Sequence, residues 1–213
     1  MMKTAIFIIM PLLFLSCSSG KVSYEWKGQA KSYLAKYQEM MLKGDFFQAK
    51  YYFDDAVKEA KNDVSLETLA IVYLSKCAMQ TALSQKTDCR EYQEIKSMLT
   101  NPKYENYVKL LLKDERVDKR YLDKYSSLYK AIVKKEVELS DIESLDTVYA
   151  QALGSMLVFN HGLINEEIVY YMIDKASAEN MKGLMLVWLD KAQSILTGEK
   201  LSRVKNQIKV LSD

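Results

Sequence analysis

Beyond position 11 the chain holds one proline, Pro102, and there are only seven glycines in its 213 residues. These are the two residues that most sharply interrupt regular backbone. A chain so short of them, and rich in Ala, Leu, Lys, Glu and Met, favours long helical runs. Nearly every segment from about residue 27 onward repeats its apolar residues at helical spacing, and no convincing period-two run appears. The expected fold class is therefore all-α.

The first helix is expected over about 27–43, "KGQAKSYLAKYQEMMLK", with Gly44 and Asp45 marking a turn. A second follows, in which Phe46, Ala49, Tyr52, Phe53 and Ala56 make one apolar stripe. A third spans about 65–84, with Leu66, Leu69, Ala70, Tyr73 and Cys77 along one face. Thr87 and Asp88 are read as the cap of a fourth helix, with Asp88 and Glu91 at capping-box spacing. Asn101 before Pro102 predicts an N-cap and first helical position for a fifth. A sixth carries Tyr121, Tyr125, Leu128, Tyr129 and Ile132. Ser140 and Glu143 are read as a capping box opening a seventh, with Leu145, Tyr149, Ala152, Leu153 and Met156 on one face. Asn165, followed by Glu166 and Glu167, opens an eighth. Helices near 181–197 and 200–211 complete the chain.

Charge narrows the function. Lysine and arginine nearly balance aspartate and glutamate, leaving a formal charge of +2 with no long block of one sign. That gives no electrostatic case for nucleic acid or for an acidic substrate. About half of the residues are apolar, enough for a real core.

The N-terminus constrains location. Lys3 precedes an apolar run from Ala5 to Leu15, too short to span a bilayer and of the length of a signal-peptide core. Then come Phe14-Leu15-Ser16-Cys17, followed by Ser18, Ser19 and Gly20. This resembles the lipobox of bacterial lipoproteins, with Phe14 where leucine is usual. The resemblance implies a signal peptide over 1–16 and a lipidated Cys17 opening a tether over 17–26. The helical domain read from the periodicity then occupies 27–213. Two or three acyl chains would hold such a chain at a membrane stably. Ser18 stands where many inner-membrane lipoproteins carry aspartate, so the resemblance implies the outer membrane and a periplasm-facing domain. In an oxidising periplasm Cys77 and Cys89 are candidates for a disulfide, the alternative being two buried thiols.

The stretch "GDFFQAKYYFDDAVKEAKND", Gly44 to Asp63, resembles the second half of a tetratricopeptide repeat. By that resemblance Gly44 is the turn glycine and Phe46 the aromatic just after it. Ala49 and Ala56 are the small residues where helices touch, and Tyr52 and Phe53 fill the core. Tyr33 takes the usual aromatic place in the first half, while Tyr37 stands where a small residue is expected. A weaker echo, "ENMKGLMLVWLDKAQSIL", puts Trp188, Leu189 and Ala192 in matching positions, with Asn180 for the turn glycine and Met185 for the first alanine. The implied architecture is antiparallel hairpins stacked as a short solenoid, or else an irregular helical bundle.

Nothing in the sequence assembles into catalysis. His161 is the only histidine and lies beside Gly162 in an expected loop, with no nucleophile motif near it. A zinc site has little support with one histidine and two remaining cysteines. Glu143-Ser144 and Gly183-Leu184-Met185 resemble fragments of a lytic transglycosylase signature. Their spacing is too wide, however, and Leu186 stands where glutamine belongs. No enzyme activity, metal or cofactor is therefore expected. The abundant tyrosines suit protein contacts, and Tyr33, Tyr37, Tyr51 and Tyr73 are the candidates for a binding groove, unless they belong to the core. The expected function is that of an outer-membrane scaffold lipoprotein binding other envelope proteins. Lipoproteins of this architecture serve in assembly, secretion and cell-wall machinery. A helical enzyme or ligand-binding lipoprotein acting on peptidoglycan, and a surface-exposed lipoprotein, remain the alternatives.

Overall fold

A computed structural model describes residues 25–62 and 66–212. The signal peptide expected over 1–16, the lipidation expected at Cys17 and the tether up to residue 24 lie outside the described residues. The described chain is all-helical. Its helices are α1 (Glu25–Lys43), α2 (Phe46–Ala60), α3 (Glu67–Ala82), α4 (Arg90–Ile95), α5 (Pro102–Leu111), α6 (Ser126–Lys134), α7 (Leu139–Glu143), α8 (Val148–Asn160), α9 (Glu166–Ala178), α10 (Lys182–Ala192) and α11 (Gly198–Ser212). Short 3-10 turns cover Lys96–Met98, Lys119–Tyr121 and Asp123–Tyr125.

Helix starts follow the local chemistry. The Asp45 side chain accepts from the Gln48 amide at 3.0 Å, and that of Asn101 from Lys103 at 3.1 Å. Asn165 accepts from Ile168 at 2.9 Å. Each satisfies an amide that the first helical turn would leave unbonded. Elsewhere the expected boundaries shift. The capping box expected at Ser140 and Glu143 is displaced by two residues: α7 opens after Glu138, whose amide donates to Asp141 at 2.9 Å. The seventh helix is also two helices, because Thr147 caps a fresh start by accepting from the Ala150 amide at 3.1 Å. The fourth helix begins two residues after Asp88, which accepts from the Arg90 amide at 3.1 Å. The capping-box partner Glu91 is drawn instead into an ion pair with Lys76 of α3.

Helix ends explain how so few glycines suffice. Gly44, Ser84, Lys113, Lys135, Gly162 and Asn180 all take positive φ, and each sits just past a helix. In every case the next amide reaches back to a carbonyl five residues earlier, as in Asp45 to Met40 at 2.9 Å and Met181 to Ala176 at 2.8 Å. Helices commonly stop this way, usually with glycine at the left-handed position. Four of these six ends use another residue.

The α1–α2 and α9–α10 hairpins share one elbow. Gly44 at φ +85° and Asn180 at φ +54° occupy the same place. The residues after them, Asp45 (φ −86°, ψ 76°) and Met181 (φ −97°, ψ 71°), have nearly the same backbone. The two hairpins also touch there. A methyl group on Gly183 would lie 2.7 Å from the Gly44 nitrogen, 2.8 Å from its Cα and 3.0 Å from the Leu42 carbonyl oxygen. The first turn of α10 thus rests directly on the α1–α2 elbow, and glycine is what permits it. Helix α1 packs along α2, α3 and α10, α3 along α8, and α9 along α10. The result is a bundle in which the first hairpin meets the α9–α10 hairpin.

The core runs through the interfaces of these helices. Ala49, Ala56 and Ala60 of α2 and Ala70, Ala78 and Ala82 of α3 have no exposed surface, so the helices approach closely there. Trp188, Leu189 and Ala192 are buried together on α10. Cys77 and Cys89 form a disulfide, with Cα atoms 5.1 Å apart, tying α3 to the start of α4. Phe46 is the exception in the repeat pattern. It is 55 % exposed, at the first position of α2 and ahead of the buried alanines.

Candidate functional site

The site sought at Tyr33, Tyr37, Tyr51 and Tyr73 is not a groove. Tyr37 is only 4 % exposed and belongs to the core. Its ring meets Phe53 at 5.3 Å, and Phe53 in turn meets Tyr73 at 6.5 Å. Tyr33 stacks on Tyr52 at 6.5 Å, with the Lys36 ammonium 5.3 Å from the Tyr52 ring. These rings fill the seam among α1, α2 and α3 instead of lining an opening. Tyr51 stands apart on the outer side of α2, edge-on to Phe47 at 5.3 Å. Burial, reinforced by the nearby Glu91 carboxylate, pushes the Tyr37 hydroxyl well above the usual tyrosine range and raises that of Tyr73. Glu91 itself is held below the usual carboxylate range: partial burial is the largest influence and opposes its charge, but the hydrogen bond from Lys76, a backbone hydrogen bond and the Lys76 charge together outweigh it.

An open groove does exist on the other side of α1. It has two adjoining hollows that share Ile71. One, of about 510 Å³, lies between α1 and α3, lined by Lys27, Ala30, Lys31 and Leu34 on one side and Thr68, Ile71 and Val72 on the other. The second, of about 420 Å³, continues from Ile71, Leu74 and Ser75 to Tyr104 and Tyr107 of α5 and to Tyr121 and Tyr125 of the 3-10 segments. Helical spacing on α3 explains the shared wall. Residues 68, 71, 72 and 75 fall on one face, so α3 offers a continuous strip to both hollows. Ile71 is 47 % exposed although it stands in the middle of a core helix. Leaving that much branched aliphatic surface in water has a cost that a bound apolar group would remove.

Lysines stand around the groove. Lys103 pairs with Asp123 at 3.2 Å, and Lys124 with Asp146 at 2.9 Å. That second pair holds the Asp146 carboxyl below its usual range, first through the hydrogen bond from Lys124 and then through its charge. Beneath the floor the hydroxyls of Tyr107 and Tyr149 are buried, which raises both well above the usual tyrosine range. Tyr125 is 4 % exposed, and its hydroxyl is buried beside that of Tyr107. Tyr107 and Tyr125 therefore line the groove with their rings while their hydroxyls are buried. Such a surface can hold side chains by area and ring contact; it offers no nucleophile–base pair. Among the described residues no group of three His, Cys, Asp or Glu side chains could hold a metal ion. His161 lies in a separate hollow with Lys113, Asp114 and Glu115. Partial burial, then the Lys113 charge, lowers its pKa below the usual histidine value.

Sequence reasoning missed this groove because its walls come from segments some thirty to ninety positions apart. Tyr121 and Tyr125 were legible only as members of a helical stripe. In the structure they belong to 3-10 turns, which rotate successive side chains differently from an α-helix.

The described residues form an all-helical bundle that carries a largely apolar groove centred on Ile71. No protein-family model, no curated protein and no solved structure matches it.

Proposed function

We propose that the protein is a lipid-anchored scaffold of the bacterial outer membrane, facing the periplasm, that binds other envelope proteins through the groove centred on Ile71. The observation that carries the reading is the groove itself: half-exposed Ile71 set in a strip of α3 between α1 and a wall of tyrosines. Tyrosine-rich, partly apolar clefts suit protein segments, since the rings supply large contact area at small entropic cost. The lipobox-like Phe14-Leu15-Ser16-Cys17 supports the anchor. The Cys77–Cys89 disulfide supports an oxidising compartment. The shared elbow of the α1–α2 and α9–α10 hairpins supports a tetratricopeptide-like origin for the bundle.

The test is site-specific crosslinking in intact cells. A photoreactive phenylalanine derivative replaces Ile71 in one strain and Phe47 in another, and membranes are then separated. The reading predicts discrete adducts from position 71, none from position 47, and recovery in the outer membrane that Cys17→Ala abolishes. Unchanged fractionation of Cys17→Ala would refute the anchor. Absence of adducts from position 71 would refute the groove.

A further inference from the structure

We propose that the segment this groove receives is acidic, with apolar side chains seated on either side of Ile71 and carboxylates set against the lysines at the rim. The proposal rests on the reading of the groove as a docking surface. The ionisable side chains lining the two hollows are Lys27, Lys31, Lys103 and Lys124 against one carboxylate, Asp123. The chain as a whole is nearly neutral at +2, so this surplus belongs to the groove and does not reflect a basic protein. Asp123 already serves Lys103, and Lys124 reaches out to Asp146 beyond the lining. Both pairs are at the surface, where an ion pair contributes little and is readily exchanged for another. A docking carboxylate can therefore take over these lysines at small cost, whereas a docking lysine would meet four lysines with two acids, Asp123 and Asp146, already paired.

The cations also argue for a segment over a small anion. They stand on three separate elements, two on α1, one on α5 and one on the 3-10 turn, along the length of both hollows. All four are exposed. A compact phosphate or carboxylate ligand needs donors converging on one point. A peptide with acidic residues spaced around apolar anchors matches cations that are spread out around an apolar floor.

The experiment pans a random 16-residue peptide library against the full-length protein, with counter-selection on the Ile71→Glu variant. The expected winners carry net negative charge around apolar residues. A synthetic winner, followed by fluorescence anisotropy, should bind at least about tenfold more weakly to Ile71→Glu and to the Lys27→Glu/Lys31→Glu double variant. Its affinity for the unaltered protein should fall as salt is raised from about 50 to about 500 mM. The Phe47→Ser/Tyr51→Ser variant, altered on the outer side of α2, should bind as the parent does. Enrichment of neutral or basic peptides, or salt-independent binding, overturns the acidic assignment. Adducts from position 71 in cells, combined with basic winners, would overturn this inference while keeping the docking reading. No adducts and no groove-dependent peptide would overturn both.

Discussion

Gly183→Ala is the sharpest probe of how the bundle is held together. The added methyl would lie 2.7–3.0 Å from three backbone atoms of Leu42 and Gly44. A flexible side chain could swing away from such a contact, but an elbow pinned by its own hydrogen bonds cannot. The α1–α2 hairpin and α10 must therefore separate, and overpacking of this kind costs up to about 3 kcal/mol. Alanine returns at most about 1 kcal/mol through its better helix propensity. The net loss is about 2 kcal/mol, which for a chain of this size lowers Tm by about 4–8 °C. Gly28→Ala is the matched control, because nothing lies within 4 Å of its added methyl within helix α1. That change should leave stability equal or raise it by up to about 1 kcal/mol. Urea melts of both variants, read by far-UV circular dichroism, decide the matter. If Gly183→Ala is as stable as Gly28→Ala, α10 does not rest on the elbow and the described closure is wrong.

Other perturbations follow from particular contacts. Replacing Cys77 and Cys89 together by alanine should cost roughly 3 kcal/mol, the value for opening a loop of this length in the unfolded chain, seen as a lower urea midpoint. Lys135→Gly should stabilise by about 0.5–1 kcal/mol, since the residue is exposed and held at φ +61°, where a side chain is penalised. His161 is the only histidine, so its proton NMR signal needs no assignment, and its midpoint should fall below 6.5. With the folded value depressed, the unfolded chain binds the proton more readily. The stability linked to His161 is therefore intact above pH 6.5 and declines as pH falls through the folded midpoint, and His161→Gln should remove that part of the decline. Trp188→Phe removes a buried indole N–H that has no partner, so its loss of ring volume should be largely offset and the change kept within about 1 kcal/mol, whereas Trp188→Ala should cost about 3–5 kcal/mol in the same melts.

The all-α class was legible because period and the scarcity of breakers are local properties. Asn101-Pro102 and Asn165 were legible for the same reason: a cap needs only its own next few residues. Four things escaped. Helix ends at Lys113 and Lys135 use residues that carry no turn signature, against the preference for glycine at such positions. Cys89, held at φ +50° and tied to α3, moved the start of the fourth helix past Asp88. The tyrosines were the least legible. Tyr37 and Tyr51 both fall at helical spacing, yet one is in the core and the other in solvent, because period marks a face without saying what covers it. The groove was out of reach altogether, since only the folded arrangement brings Ile71 beside Tyr104 and Tyr121.

The contact between Gly183 and Gly44 also sets when the protein can be finished. Its two sides are made about 140 residues apart, so the first hairpin to emerge from the ribosome lacks one of its walls until α10 has also been made. Stacked repeats can settle one after another as they appear, each on the one before. Here the earliest helices can form but cannot complete their packing, and a nascent chain halted before α10 has no finished domain to show for its length. Completion of this bundle therefore waits on α10, however early its first helices form.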